Sequence, residues 1–163
     1  MNSISPSRQY LPYFIGFGLV CIYTIQYLSP IDLPYLSVWQ AKESYKRWSG
    51  LALFAIILFQ WWLTIEQVII KKKKKEKSVA LHRWVGVLSP VAFLVHSSNP
   101  SFGFLLLLSV LFYLNLALGI LHIPITKKLS AGIYSIWYMG HMVLSCLITG
   151  LSIFHIWLVF YYK

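Results

Sequence analysis

The chain is poor in acid. Only 4 Asp and Glu stand among its 163 residues, and charged residues make up 11% of the whole. A water-soluble domain carries about a quarter charged residues, so an ordinary soluble enzyme is excluded. Cysteine is scarce as well. Cys21 and Cys146 both lie in apolar stretches and no C-x-x-C-H occurs, which excludes covalent c-type haem attachment and a Cys-rich zinc site. Both cysteines read as small buried hydrophobes. Neither a P-loop nor a G-x-G-x-x-G after a strand is present, and nothing resembles a second soluble domain.

What the chain has is apolar surface. Hydrophobic residues form 58% and aromatic residues 17% of it, with a mean hydropathy of +0.68. That excludes a disordered chain and suits a protein with wide lipid–water interfaces. The net charge of +10 would suggest nucleic acid in a soluble protein. Here five of the cations form one run, Lys71 to Lys75, between long apolar segments. Such clusters fix orientation in a membrane and meet anionic lipid, and the membrane reading prevails.

The apolar pattern predicts an all-α integral membrane helical bundle with five transmembrane helices, forming a single domain over residues 1–163. The spans fall at about 10–28, 50–70, 79–97, 102–121 and 132–160, near the ~20 residues that cross hydrocarbon. The last apolar run exceeds that length, so its first turns lie in the interface or the helix tilts. Residues 33–48 read as an amphipathic interfacial segment. Val38, Ala41, Tyr45 and Trp48 share one side, and Gln40, Glu43, Lys46 and Arg47 take the other. The lysine-rich stretch 71–78 reads as a loop. Arg8, that loop, Arg83, Lys127 and Lys128 fall on one side of the membrane, which the positive-inside rule makes cytoplasmic. The N-terminus is then inside, the C-terminus outside, and the third and fifth spans both run outward.

Histidine in hydrocarbon is costly and marks function by default. Five occur: His82, His96, His122, His141 and His155. His82 and His96 are 14 residues apart on the third span, as are His141 and His155 on the fifth. Fourteen residues is close to four helical turns, so each pair faces one way with a rise of about 21 Å. Parallel helices then put His82 level with His141, and His96 level with His155. Zinc needs three or four converging ligands, which histidines about 21 Å apart cannot supply. Two b-type haems held by bis-histidine ligation, stacked across the bilayer between helices three and five, use all four with one geometry. Gly86 and Ser89 beside one pair, and Ser145 and Ser152 beside the other, would let a flat macrocycle approach; small residues also serve close helix packing.

Arg83, Lys127 and Lys128 are candidate propionate partners, besides their part in orientation. His122 is open to three roles: a propionate contact, a quinone site, or a helix cap, the last being preferred. Glu66, deep in the second span, reads as a partner of the lysine run ahead of a proton acceptor from quinol.

H-R-x-x-G at His82–Gly86, followed by His96 and by a second histidine pair two helices on, resembles a membrane dihaem cytochrome b. The nearest pattern is the ferric reductase-like transmembrane domain, whose relatives include the NADPH oxidases. The resemblance covers roughly residues 79–156 and implies haem ligands on the third and fifth helices. The cytochrome b of quinol–cytochrome c complexes follows the same bundle logic. No flavin or nicotinamide domain accompanies the spans up to Lys163. The expected function is therefore electron carriage across a membrane, the cytoplasmic one of a bacterium, as part of or partner to a redox- or quinone-linked complex. Quinone is admitted as a further cofactor. Two alternatives stay open: a stand-alone membrane ferric reductase or oxidoreductase with an external donor, and a haem-free scaffold.

Overall fold

The computed structural model describes residues 6–29, 31, 33–68, 75–98, 102–121 and 131–162. Among them lie six α-helices and no strand: α1 Pro6–Leu28, α2 Pro34–Gln40, α3 Glu43–Val68, α4 Lys75–His96, α5 Phe104–Ile120 and α6 Ala131–Tyr161. Four of these, α1, α3, α4 and α6, are long and apolar enough to cross a membrane, so the architecture is that of a helical membrane bundle. The apolar α5 has 17 residues and rises about 26 Å, at the short limit for crossing a hydrocarbon core of about 30 Å.

Two segments differ from the sequence expectation. The amphipathic stretch is divided: α2 ends at Gln40, and from Glu43 the chain already belongs to the long helix α3. Its periodicity is helical throughout, but a turn at Ala41 and Lys42 separates a short helix from a long one. Lys75 to Ser78, read as loop, form the first turn of α4. Lysine is a good helix former, and composition had hidden that propensity behind its charge.

The long helices close a ring. Around it α3 packs on α4, α4 on α1, α1 on α5, α5 on α6 and α6 on α3, while α4 also reaches α5. Each contributes to a thin core made of Tyr23, Leu63, Val87, Phe93, Leu116 and Ile148. An aromatic cluster ties α1, α4 and α5 together. Tyr23 stacks on Tyr113 at 4.1 Å, and Phe93 meets the two at 5.4 and 5.6 Å. Most remaining large apolar side chains, such as Phe14, Phe17 and Ile136, point outward, as lipid-facing surfaces require. The cysteines follow that rule, contrary to the buried expectation: Cys21 is half-buried, Cys146 is exposed, and both are free. A thiol is apolar enough to face lipid.

Pro90 interrupts α4 between its two histidines. Proline has no N–H, so the carbonyl of Gly86, four residues back, loses its helical donor. Ser89 Oγ donates to that carbonyl at 2.6 Å, and the helix continues.

Candidate functional site

The histidine-bearing helices α4 and α6 face each other with their backbones held apart. Among the described residues no Cα of one lies within 8 Å of a Cα of the other. Helix α3 flanks the gap on one side and α5 on the other. Across it the rings meet in two matched pairs. His82 and His141 have ring centres 6.3 Å apart with planes at 81°. His96 and His155 have centres 6.4 Å apart with planes at 67°. Like levels therefore pair, and α4 and α6 run in the same sense.

These separations have chemical content. A direct ring-to-ring hydrogen bond would draw the centres to within about 5.8 Å, and both pairs stand wider than that. Among the described residues no three His, Cys, Asp or Glu side chains converge, so each level offers two nitrogen donors and no third. A metal that brings its own equatorial ligands needs two axial nitrogens. With a bond of about 2 Å and a ring radius of about 1.1–1.2 Å, trans imidazoles have centres about 6.3 Å apart. Both pairs fit that spacing.

The His82–His141 level opens into a cavity of about 360 Å³. Of the residues singled out from the sequence, His82, Arg83, Gly86, Ser89, His141 and Ser145 all line it. Arg83 holds its guanidinium over the ring of Tyr13, 5.3 Å from the centroid, which puts one cation at this level. Gly86 and Ser89 each have a contact of their own. A Cβ on Gly86 would stand 3.3 Å from Gln60 Nε2, and that nitrogen donates to the His82 carbonyl at 3.1 Å. The missing side chain thus admits Gln60 from α3, while Ser89 serves the carbonyl freed by Pro90. Ser145 donates to the His141 carbonyl at 2.8 Å and accepts from Asn115 Nδ2 at 3.0 Å. Ser152 is buried one turn before His155 and lies outside that cavity lining. Comparison with family models, with curated proteins and with solved structures found no match for this chain. The geometry alone carries the functional reading.

Helix α3 supplies positions that residue type and spacing did not mark. Besides Gln60, Trp61 Nε1 donates to Thr149 Oγ1 of α6 at 2.8 Å, bracing α6 between its two histidines. At the other level Ser49 Oγ lies 3.1 Å from His96 Nδ1. The end of α4 is held by Gln40, which the amphipathic pattern had placed on a polar outer side. Its side chain is buried, donates to the carbonyls of Leu94 and Val95 at 2.8 and 3.0 Å, and accepts from Ser98 Oγ at 2.6 Å. Unpaired carbonyls at a helix end need such donors. Tyr45 adds its hydroxyl to the Val95 carbonyl at 3.2 Å.

Glu66 accepts a hydrogen bond from Ser78 Oγ at 3.4 Å; of the lysine run Lys71 to Lys75, its expected partner, Lys71 to Lys74 lie outside the described residues, as do His122, Lys127 and Lys128.

Proposed function

We propose that this chain is a dihaem membrane cytochrome b, carrying electrons across the membrane as part of, or partner to, a redox- or quinone-linked complex. One observation carries the reading: two dihistidine pairs, 6.3 and 6.4 Å between ring centres, on helices held apart by neighbours. Bound there, haem supplies reversible one-electron chemistry with four equatorial nitrogens of its own. His82 and His141 would be the axial ligands at one level, His96 and His155 at the other. The 14-residue spacing on each helix sets the levels about 21 Å apart along the helix axes. Gln60, Trp61 and Asn115 hold the ligand helices at their distance, and Arg83 offers a cation to a carboxylate beside the His82 level. Charge bias assigns the lysine-run end to the cytoplasm, and reporter fusions after Lys77 should read that side.

The test is a haem count on the intact purified chain expressed with ample haem. About two b-type haems per chain are expected, both low-spin with imidazole at both axial positions. Replacing His96 or His155 should remove one and the same haem, and replacing His82 or His141 the other. A pyridine haemochrome count near zero in folded protein overturns the proposal. So does a pairing in which His82 and His96 replacements remove the same haem.

A further inference from the structure

We infer that Ser49 is the positioning residue of the His96–His155 level, fixing the proton of His96 on Nδ1 so that Nε2 presents its lone pair towards a metal. The inference rests on the dihaem reading for its redox part and on geometry alone for the tautomer.

Ser49 has one hydroxyl proton and three oxygen or nitrogen neighbours. Its Oγ lies 2.7 Å from the Tyr45 carbonyl, 3.3 Å from the Lys46 carbonyl and 3.1 Å from His96 Nδ1. Two oxygens at 2.7 Å need a hydrogen between them, and a carbonyl has none to give. The hydroxyl proton is therefore committed to the backbone of α3. Ser49 Oγ can only accept from the ring, so Nδ1 carries the hydrogen. A neutral imidazole has one N–H, which leaves Nε2 as the ligand atom. Donation from Nδ1 to an oxygen also raises the basicity of the metal-bound nitrogen, as in metal-ligating histidines generally.

The backbone next to Ser49 closes the other degree of freedom. A Cβ on Gly50 would stand 3.0 Å from His96 Cε1 and 3.5 Å from both ring nitrogens, so α3 presses along the edge of the imidazole. The described cations of α3 near this edge are Lys46, whose charge bears on His96, and Arg47, which pairs with Glu43 at 3.4 Å. Both are donors, so neither supplies an acceptor for an Nδ1 proton. The ring is held from one side by a hydroxyl and a glycine, both on a helix that itself carries no candidate ligand.

The experiment compares wild type, Ser49→Ala and Ser49→Thr in the full chain. In haem-free protein carrying ¹⁵N-histidine, with the His96 signals identified by their loss in His96→Gln, wild type and Ser49→Thr should show one protonated nitrogen, Nδ1. Ser49→Ala should show a mixture of tautomers. In haem-loaded protein, Ser49→Ala should raise the reduction potential of one haem, the one lost in His155→Gln, and leave the other unmoved. A tenfold change in its reduction equilibrium reads as 59 mV for one electron. Ser49→Thr should restore it. An unchanged His96 tautomer in Ser49→Ala overturns the inference whatever the haem content. A changed tautomer in a chain that takes up no haem would sustain the role of Ser49 and overturn the cytochrome reading instead. A shift of both potentials together, unrestored by threonine, also overturns it, because a general loosening of the bundle is not selective for one level.

Discussion

Replacing Gly50 by alanine should disturb one histidine level and leave the other intact. The added methyl would start 3.0 Å from His96 Cε1, and ordinary contact begins at 3.4 Å, so the ring edge must retreat by about 0.4 Å to relieve the repulsion. A retreat of that size takes the Ser49–His96 contact from 3.1 Å to about 3.5 Å, beyond useful hydrogen bonding. Overpacking of this kind costs about 1–3 kcal/mol, while alanine in place of glycine inside a helix returns about 0.5–1 kcal/mol. The net expectation is a loss of about 0–2.5 kcal/mol in stability. At the His96 level, the lost outer contact should weaken binding of a metal group about 10–100-fold. Gly150→Ala is the matched control, because a Cβ there meets nothing within 4 Å; it should be neutral or stabilising by about 0.5–1 kcal/mol. Denaturant unfolding in detergent gives the first quantity, and haem titration of both levels gives the second. If Gly50→Ala is as stable as Gly150→Ala and both levels bind as before, the close approach of α3 to His96 does not constrain the ring.

Other consequences follow from single contacts. Ser89→Ala should cost about 1–2 kcal/mol by stranding the Gly86 carbonyl, and much less in a Pro90→Ala background where a backbone N–H returns; equal costs in both backgrounds, measured by thermal unfolding, would refute the compensation. Gln40→Ala should cost about 1–3 kcal/mol and speed hydrogen exchange at the Ser98 amide while exchange in the middle of α6 holds steady. Trp61→Phe should lose about 0.6–1.7 kcal/mol, the range for one hydrogen bond between helices in a membrane. A double-mutant cycle with Thr149→Val isolates that bond, and zero coupling would show that the brace is not formed.

Much of the site was legible because it depends on one helix at a time. The 14-residue spacing fixes which residues share a face, whatever surrounds the helix, and the shared sense of α4 and α6 follows from counting crossings. What pairs with what across helices is a different matter. Ser49, Gln60 and Trp61 carry no local signal, since a serine or glutamine in an apolar run is marked only by the backbone or ring it meets. Gln40 misled for the same reason: amphipathic periodicity separates polar from apolar sides, but a glutamine can turn its polar side inward to terminate a neighbouring helix. Gly86 and Ser89 were singled out as positions where a flat macrocycle could approach, and the contacts they show are local to α3 and α4, admitting Gln60 and repairing the break at Pro90. The division of residues 33–48 was hidden because both pieces are helical and only the turn at Ala41 and Lys42 separates them.

The gap between α4 and α6 also orders the protein's assembly in time. Helices α3 and α4 are made before α6 and pack against each other, so the imidazoles of His82 and His96 enter the bilayer with one wall of their surroundings missing. The wall arrives only with Ala131–Tyr161, which is synthesised after α4. Polar rings held in hydrocarbon are expensive, and that expense lasts for as long as translation of the intervening stretch takes. A group that needs nitrogens from both helices can be seated only after α6 has joined α4. Chains interrupted before Ala131 would lack the wall that faces His82 and His96, so α6 is the segment that completes the surroundings of both rings.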